Sequence, residues 1–454
     1  MSTHPTGRAD HSGGSARPAA YPAPLAHTPL NATVAVPGSK SWTNRWLALA
    51  SVATGPCTLT APLEARDTRL MVQALRAFGH TVTEQTDDAG TARWTVAPAT
   101  RWQAPAEPVD CGLAGTVLRF LVPLASLADG PVTLTGDERL GHRPLTPLLD
   151  AVRSLGMHVT PGAGTGAGAA DASVLPLRLE GALTPADPTD PRVEVDASAS
   201  SQFVSALLLA GCTVPGGLTV HATGEVPSLP HVEMTLAALQ HVGVRAEQRD
   251  DHTWWVEDRR PGPFEVTVEP DLSSAAAFLC AAAVAGGSVT VPGWPTQTTQ
   301  AGDHVRDLLT RMGATCTLDE RGLTVTGGEL HGIEADLSAA GELTPVIAAT
   351  AALADSPSRL VGIGHLRGHE TDRLAALATE INALGGEVTE LPDGLAITPR
   401  RLHGGLFHTY ADHRLAMAGA ILGLRTEGVE VEDIATTGKT VPGFDRLWDA
   451  MVGA

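Results

Sequence analysis

Lysine is nearly missing from this sequence: of 31 lysine and arginine residues only Lys40 and Lys439 are lysine, and the other 29 are arginine. A chain so biased keeps lysine where arginine will not serve. The ammonium is a compact point donor that fits against a phosphate or near a reacting carbon, whereas the guanidinium is broad and fork-shaped. Both lysines stand in tight polar turns, Gly38-Ser39-Lys40-Ser41 and Gly438-Lys439-Thr440. This marks them as candidate functional residues rather than unreplaced surface groups.

Cysteine is sparse and scattered. Cys57, Cys111, Cys212, Cys280 and Cys316 form neither a CxxC spacing nor a Cys/His cluster, which argues for a reducing compartment and against structural zinc. Long apolar runs are lacking too. Phe203 to Val214 and Ala275 to Ala285 come nearest and stop well short of a bilayer span, so a soluble, cytoplasmic protein is expected. Positive charge is in deficit, and a formal charge of -19 makes nonspecific binding to nucleic acid or an acidic membrane unfavourable. Any anionic ligand must find a locally basic cleft. The first 27 residues lack the basic start and apolar core of a secretory signal. Rich in Pro, Gly, Ser, Thr and His, residues 1–27 read as a disordered tail.

What is present is a repeat. The 454 residues exceed one ordinary core and suit two domains. Six times the chain passes from a small polar turn to an Ala/Leu-rich run, a Gly-containing break and a β-branched strand. The turns lie at Gly38 to Asn44, Cys111 to Thr116, Asp196 to Gln202, Pro270 to Ser274, Leu337 to Glu342 and Tyr410 to Arg414. Runs such as Leu47 to Ala53, Phe203 to Ala210, Ala275 to Ala285 and Leu415 to Leu424 are apolar nearly all round, as buried helices are. Strands such as Cys57 to Thr60 and Val132 to Thr135 follow, then second helices with a polar face. Most of these end at glycine, as at Phe78-Gly79, Leu155-Gly156, Met312-Gly313 and Leu384-Gly385, which suits a left-handed C-cap. Three units per domain give two similar α/β domains with buried parallel helices inside and sheets outside. Parallel helices gather their N-termini on one face, where unpaired N–H groups and helix dipoles attract anions. The six turns are therefore expected to line a shared cleft.

Several turns carry groups that can do chemistry. Gly38-Ser39-Lys40-Ser41-Trp42-Thr43-Asn44-Arg45 combines hydroxyls, an ammonium and a guanidinium in the manner of a phosphate clamp, but it lacks the spaced glycines of a nucleotide-binding P-loop. Asp196 to Gln202 offers consecutive hydroxyls at a helix start, and Gly115-Thr116 permits close backbone approach. His369-Glu370-Thr371-Asp372-Arg373 and Asp412-His413-Arg414 set acid, imidazole and guanidinium side by side. Arg143, Arg373 and Arg414 can grip a carboxylate or phosphate in bidentate fashion. Glu342 and Glu370 are candidate proton-transfer groups.

In order, Pro37-Gly38-Ser39-Lys40-Ser41, Ala114-Gly115-Thr116-Val117-Leu118-Arg119, Ser200-Ser201-Gln202-Phe203, Glu370-Thr371-Asp372-Arg373 and Asp412-His413-Arg414 resemble the signatures of the enolpyruvyl transferases of the shikimate pathway, from about Pro29 onward. The resemblance implies an inside-out α/β barrel in two domains of three βαβαββ-type units each. One domain holds residues 38–268 and the other residues 28–37 plus 269–454. It implies transfer of the enolpyruvyl group of phosphoenolpyruvate to the 5-hydroxyl of shikimate 3-phosphate, releasing phosphate, in chorismate and aromatic amino acid biosynthesis. By position, Lys40, Ser41, Arg45, Ser200, Ser201, Gln202, Ser228, Glu342 and His369 hold shikimate 3-phosphate. Lys40, Gly115, Arg143, Gln202, Arg373, Arg414 and Lys439 hold phosphoenolpyruvate. Glu342 matches the proton acceptor and Glu370 the proton donor, with Lys40 assisting. No metal, nucleotide or organic cofactor is implied; the partners are the two small substrates, with no nucleic acid or membrane, and the chain is expected to be a monomer.

Six positions depart from the family's commonest pattern: Leu113 stands for Asn, Phe120 for Pro, His231 for Tyr, Glu342 for Asp, His365 for Asn and His369 for Lys. Glu342 is a methylene longer, so its carboxylate must approach from a different rotamer or a retracted backbone. His369 keeps a donor without a fixed charge. The alternatives are a relative acting on UDP-N-acetylglucosamine, whose loop cysteine has no match here, an RNA 3′-phosphate cyclase, disfavoured by the acidic balance, and a binding module that has lost turnover.

Overall fold

The computed structural model describes residues 19–88, 90–161 and 173–453. Five of the repeats become a strand, a buried helix, a second strand parallel to the first, an outer helix and a hairpin that pairs antiparallel with the second strand. Around the Gln202–Gly211 helix, for example, Arg192–Asp196 pairs in parallel with Leu218–Thr223, which pairs antiparallel with Thr253–Val256. Five four-stranded sheets repeat this order, and a sixth sheet has three strands. The buried helices are Lys40–Val52, Gly115–Leu124 and Gln202–Gly211 in one half, and Leu272–Ala285, Thr344–Ala352 and His413–Gly423 in the other. In Leu272–Ala285 every residue but Ser273 is buried, as its alanine-rich, all-round apolar sequence requires. Gly79, Gly156, Gly313 and Gly385 follow their helices at φ +92°, +92°, +99° and +91°, the left-handed geometry expected of them. Among the described residues no helix is long and apolar enough to cross a membrane.

Two hydrophobic cores result. One runs from Trp42 to Val268; the other takes Leu30, Val34 and residues from Leu272 to Met451. The chain crosses between them twice, and the crossing exchanges strands. Leu30–Thr33, which precedes the Lys40 helix, pairs with Gly287–Val291 of the other half, while Glu265–Thr267, which precedes the Leu272 helix, pairs with Cys57–Thr60. The two crossing segments lie side by side: Ser39 N–H donates to Glu269 O at 2.8 Å and Asp271 N–H to Pro37 O at 2.9 Å. Gly38 has no room for a side chain, since a Cβ there would lie 2.2 Å from the Ala61 carbonyl oxygen.

The end of the expected tail needs correction. Tyr21–Pro22 forms the third strand of the last sheet, antiparallel to Val429–Val431, and the Tyr21 hydroxyl donates to Asp449. The last repeat lacks a hairpin of its own, and this segment takes its place against an otherwise open sheet edge. Residues 1–18 of that expected tail lie outside the described residues.

Candidate active site

Five of the six polar turns supply the wall of one cleft between the halves. The first half contributes Lys40 and Ser41, Gly115 and Thr116, and Ser200 and Gln202; the second contributes Glu342, His413 and Arg414. The Pro270–Ser274 turn stands behind the wall, where Asp271 accepts from Lys40 N–H at 3.2 Å and the Ser273 carbonyl from Arg414 Nη1 at 3.4 Å. Six cations line the cleft, Lys40, Arg119, Arg143, Arg373, Arg414 and Lys439, against three carboxylates, Asp67, Glu342 and Glu370. An acidic protein thus concentrates an excess of positive charge where helix N-termini converge.

The two lysines meet on one carboxylate. Lys40 Nζ lies 3.7 Å from Asp67 Oδ2, Lys439 Nζ lies 3.9 Å from the same oxygen, and Asp67 is 2% exposed. Burial opposes its ionisation, but Lys439, Lys40 and Arg66 outweigh that and hold its carboxyl below the ordinary range. Sequence reading missed Asp67. Its place in the first turn of a helix looks like ordinary dipole complementation.

Across the cleft, Lys439 also binds Glu370, which accepts from His413 Nδ1 at 3.0 Å and has Arg143 Nη2 at 3.8 Å. Glu342 binds Arg414 and faces His231 Nε2 at 3.9 Å. Arg373 forks onto Asp412 with bonds of 2.7 and 3.2 Å and turns Nη1 to His369 Nδ1 at 3.3 Å. Burial disfavours the charge on both glutamates, yet their cationic partners hold each well below the usual carboxylate range. Glu370, Asp412 and His413 bring ligand atoms within 4.8 Å of one another, as a metal would require. Their atoms already serve Lys439, Arg373 and each other.

Arg119, within a signature segment but not among the expected ligands, also belongs to the wall. It donates to Gln202 Oε1 at 3.1 Å and to Pro144 O at 3.3 Å, and among the described residues no carboxylate pairs with it. Burial, then Arg143, lowers it to about 9. A half-buried guanidinium without a carboxylate partner is a candidate anion site. Gly115 opens space beside it, because a Cβ there would meet Arg143 Nη1 at 2.8 Å.

Three expected ligands are not on this wall. Arg45 is 1% exposed and spends its guanidinium on Thr235 Oγ1 at 2.9 Å, Ser41 O at 3.0 Å and His231 O at 2.7 Å. It braces the cleft from behind. Ser201 is buried at its helix cap, and Ser228, at φ +52°, donates its N–H to Ser338 O at 3.0 Å, joining the two halves.

A family model for EPSP synthase (3-phosphoshikimate 1-carboxyvinyltransferase) matches residues 25–448. The chain belongs to the EPSP synthase family. A 3-phosphoshikimate 1-carboxyvinyltransferase of Kocuria rhizophila is 53% identical over 441 residues, covering 96% of this chain and 97% of that relative. An EPSP synthase structure from Acinetobacter baumannii superposes with a TM-score of 0.78 at 24% identity, covering 95% of this chain and 98% of that one. The enolpyruvyl transferase NikO from Streptomyces tendae gives 0.72 at 19% identity, over 94% and 96% of the two chains. Both structural likenesses carry the fold.

Within this EPSP synthase frame the unusual histidines are neutral. Burial lowers His231 to about 4 and displaces His365, His369 and His413 downward; outside the cleft it lowers His80 to about 4. A histidine whose folded pKa lies below its unfolded value near 6.5 costs stability as pH falls through 6.5, because the unfolded chain then binds more protons. His80 and His231 should each cost about 2 kcal/mol by pH 5. The carboxylates Asp67, Glu342 and Glu370 contribute stability above the ordinary carboxyl range and lose it as pH falls from there through their folded values. Urea unfolding at pH 7.5, 6 and 5 should show a falling midpoint; a flat profile would contradict the neutral assignment.

The turn before His413 is strained. Tyr410 and Ala411 stand at φ +53° and +56°, and Asp412 N–H closes the turn on Thr409 O at 2.8 Å. Positive φ at both central residues is a type I′ turn, which alanine does not favour. The Tyr410 hydroxyl holds it by donating to Glu380 at 2.6 Å. Ala411→Asn should raise stability by about 0.5–1 kcal/mol in chemical denaturation, with no loss of turnover.

Proposed function

We propose that this chain transfers the enolpyruvyl group of phosphoenolpyruvate to the 5-hydroxyl of shikimate 3-phosphate, releasing phosphate. The observation that carries the reading is the pair of glutamates in one cationic cleft, each clamped by its own cation, Glu342 by Arg414 and Glu370 by Lys439. Held far below neutral, Glu370 cannot donate a proton and Glu342 is a feeble base. An anionic substrate that draws Arg414, Lys439 and Arg143 to itself weakens both clamps and moves both carboxyls toward useful values. Substrate binding thereby arms the acid and the base.

In the first step the 5-hydroxyl oxygen bonds to C2 of phosphoenolpyruvate as Glu342 takes its proton and Glu370 protonates C3, giving a tetrahedral ketal phosphate. In the second, Glu370 takes a proton back from C3, the C2–C3 double bond returns, and the bond from C2 to the phosphate oxygen breaks, the phosphate leaving with the proton that Glu342 held. Lys40, Arg143, Arg373, Arg414 and Lys439 stabilise the phosphate and carboxylate charges, and Arg119 joins them. Ser41, Ser200, Gln202 and His369 hold shikimate 3-phosphate with Lys40. Gln202 Oε1 accepts from Thr116 and Arg119, which leaves its amide nitrogen to donate. Arg45 acts through the Ser41 carbonyl, and Ser201 and Ser228 stay candidates for the same substrate.

The innermost part of the cleft holds about 60 Å³, and a cavity of about 480 Å³ that shares Arg143, Glu370 and Lys439 adjoins it. We place the domains at residues 38–268 and 28–37 plus 269–454, and in this reading they move apart to admit substrate. No cysteine lines the cleft among the described residues, which favours shikimate 3-phosphate over UDP-N-acetylglucosamine as acceptor. The protein acts as a cytoplasmic monomer in this reading. Phosphate release from phosphoenolpyruvate in metal-free buffer tests it. Release with shikimate 3-phosphate alone is expected, and release only with the sugar nucleotide would overturn it.

A further inference from the structure

We infer that Glu269 is a positioning residue: one carboxylate in the crossing segment, outside the cleft, ties the helix bearing Lys40 to the other half and fixes where Lys40 stands when the cleft is closed. A single oxygen, Oε2, accepts from Trp42 Nε1 at 3.1 Å, from Thr298 Oγ1 at 2.7 Å and from Gln300 Nε2 at 2.8 Å. Trp42 lies two residues after Lys40 on the same helix. Thr298 and Gln300 belong to the loop after Gly287–Val291, in the other half.

Both ends of this clasp are rigid. Trp42 is 6% exposed and stacks on Trp46 with ring centroids 5.2 Å apart and planes 8° from parallel, so its indole cannot follow Glu269 unless the helix moves. Gln300, 6% exposed, also donates to Pro270 O at 3.0 Å and accepts from Leu272 N–H at 3.4 Å, at the start of the Leu272 helix. One residue on, the Ser273 carbonyl accepts from Arg414, the partner of Glu342. A continuous path of packed and hydrogen-bonded groups therefore runs from Lys40 through Glu269 to Arg414. Besides the backbone bonds of the two crossings, and the contacts of Ser228 with Ser338 and of Lys439 with Asp67, the carboxylate adds a tether next to the crossings that limits the angle between the Lys40 helix and the other half. Misplacing a catalytic group by about 1 Å can cost about 10²-fold in rate, so a clasp of this kind controls turnover from outside the cleft.

The inference rests on the function proposed above, and phosphate release by the parent protein tests that function by itself. Glu269→Gln keeps size, but its neutral amide oxygen accepts the three donors more weakly than the carboxylate oxygen does, and its amide nitrogen accepts none. We expect kcat to fall about 10- to 100-fold, with KM for both substrates within about 3-fold and the thermal midpoint nearly unchanged. Trp42→Phe and Thr298→Val remove one tether each and leave the carboxylate in place. Each should lower kcat; Trp42→Phe detaches the Lys40 helix from the carboxylate, whereas Thr298→Val leaves Gln300 attached to it, so the double variant should be no worse than Trp42→Phe alone. Parental kcat in Glu269→Gln, multiplicative losses in the double variant, or losses that track the folded fraction would each overturn the assignment.

Discussion

Glu342→Gln should turn over about 10²- to 10⁴-fold more slowly than the parent, while its affinity for shikimate 3-phosphate stays within a few-fold. The amide keeps the size of the side chain and can still accept from Arg414, so the cleft wall survives. Only the ability to take the hydroxyl proton is removed. Steady-state kinetics with direct titration of shikimate 3-phosphate separates the two effects, since loss of a transition-state interaction lowers kcat without raising the ground-state dissociation constant. Parental kcat would remove Glu342 from proton transfer and leave Lys40, with its ammonium 3.7 Å from Asp67, as the base to test next. The lowered pKa of Glu342 gives a second expectation for this variant. In the free protein Glu342 stays ionised across the working pH range, held by Arg414, Lys40 and Arg373 against the cost of burial. An acid limb near neutrality in kcat/KM therefore comes from another group and should survive in the residual activity.

How much of this was legible in the sequence depended on whether a signal was local. The glycines after Phe78, Leu155, Met312 and Leu384 announced left-handed caps, and all four stand there, because a C-cap is settled within a few residues. The buried helices announced themselves through all-round apolar composition. The strand exchange at the crossings had no local signal, and only the family resemblance assigned those segments to a half: Leu30–Thr33 and Glu265–Thr267 are short β-branched or mixed runs, and nothing local says which half each will join. Tyr21–Pro22 was misread for a related reason. A two-residue strand has no period of its own and exists because the last sheet has an edge to fill. At the site, the polar turns pointed to the wall but not to what stands behind it. Arg45 sits five residues from Lys40 in an apparent phosphate clamp, yet one and a half helical turns carry it to a buried face. Asp67 and Arg119 were overlooked because each has an ordinary local explanation, a dipole-matched acid and a lone arginine in an apolar helix. Their meaning lies in neighbours distant in the chain.

Lys439→Arg should lose most activity although it preserves charge, by about 10²-fold or more if the reacting groups move by about 1 Å. Lys439 is 9% exposed and stands between two carboxylates, bound to Glu370 and 3.9 Å from Asp67. Burial, then neighbours of both signs, lowers its pKa. An ammonium can face both carboxylates from one point, while a planar fork must choose one and push the other aside. Asp67 would then hold Lys40 alone, or the side chain at 439 would be displaced from Glu370. Lys439→Met is the companion variant and should behave differently. It leaves Asp67 and Glu370 without the cation between them, and breaking such a buried pair costs about 3–5 kcal/mol, so it should unfold at markedly lower urea as well as lose turnover. If Lys439→Arg is as active as the parent, the scarcity of lysine in this chain carries no functional message at this position. If it is inactive but folded, the bias toward arginine everywhere else becomes the reason the two exceptions could be recognised.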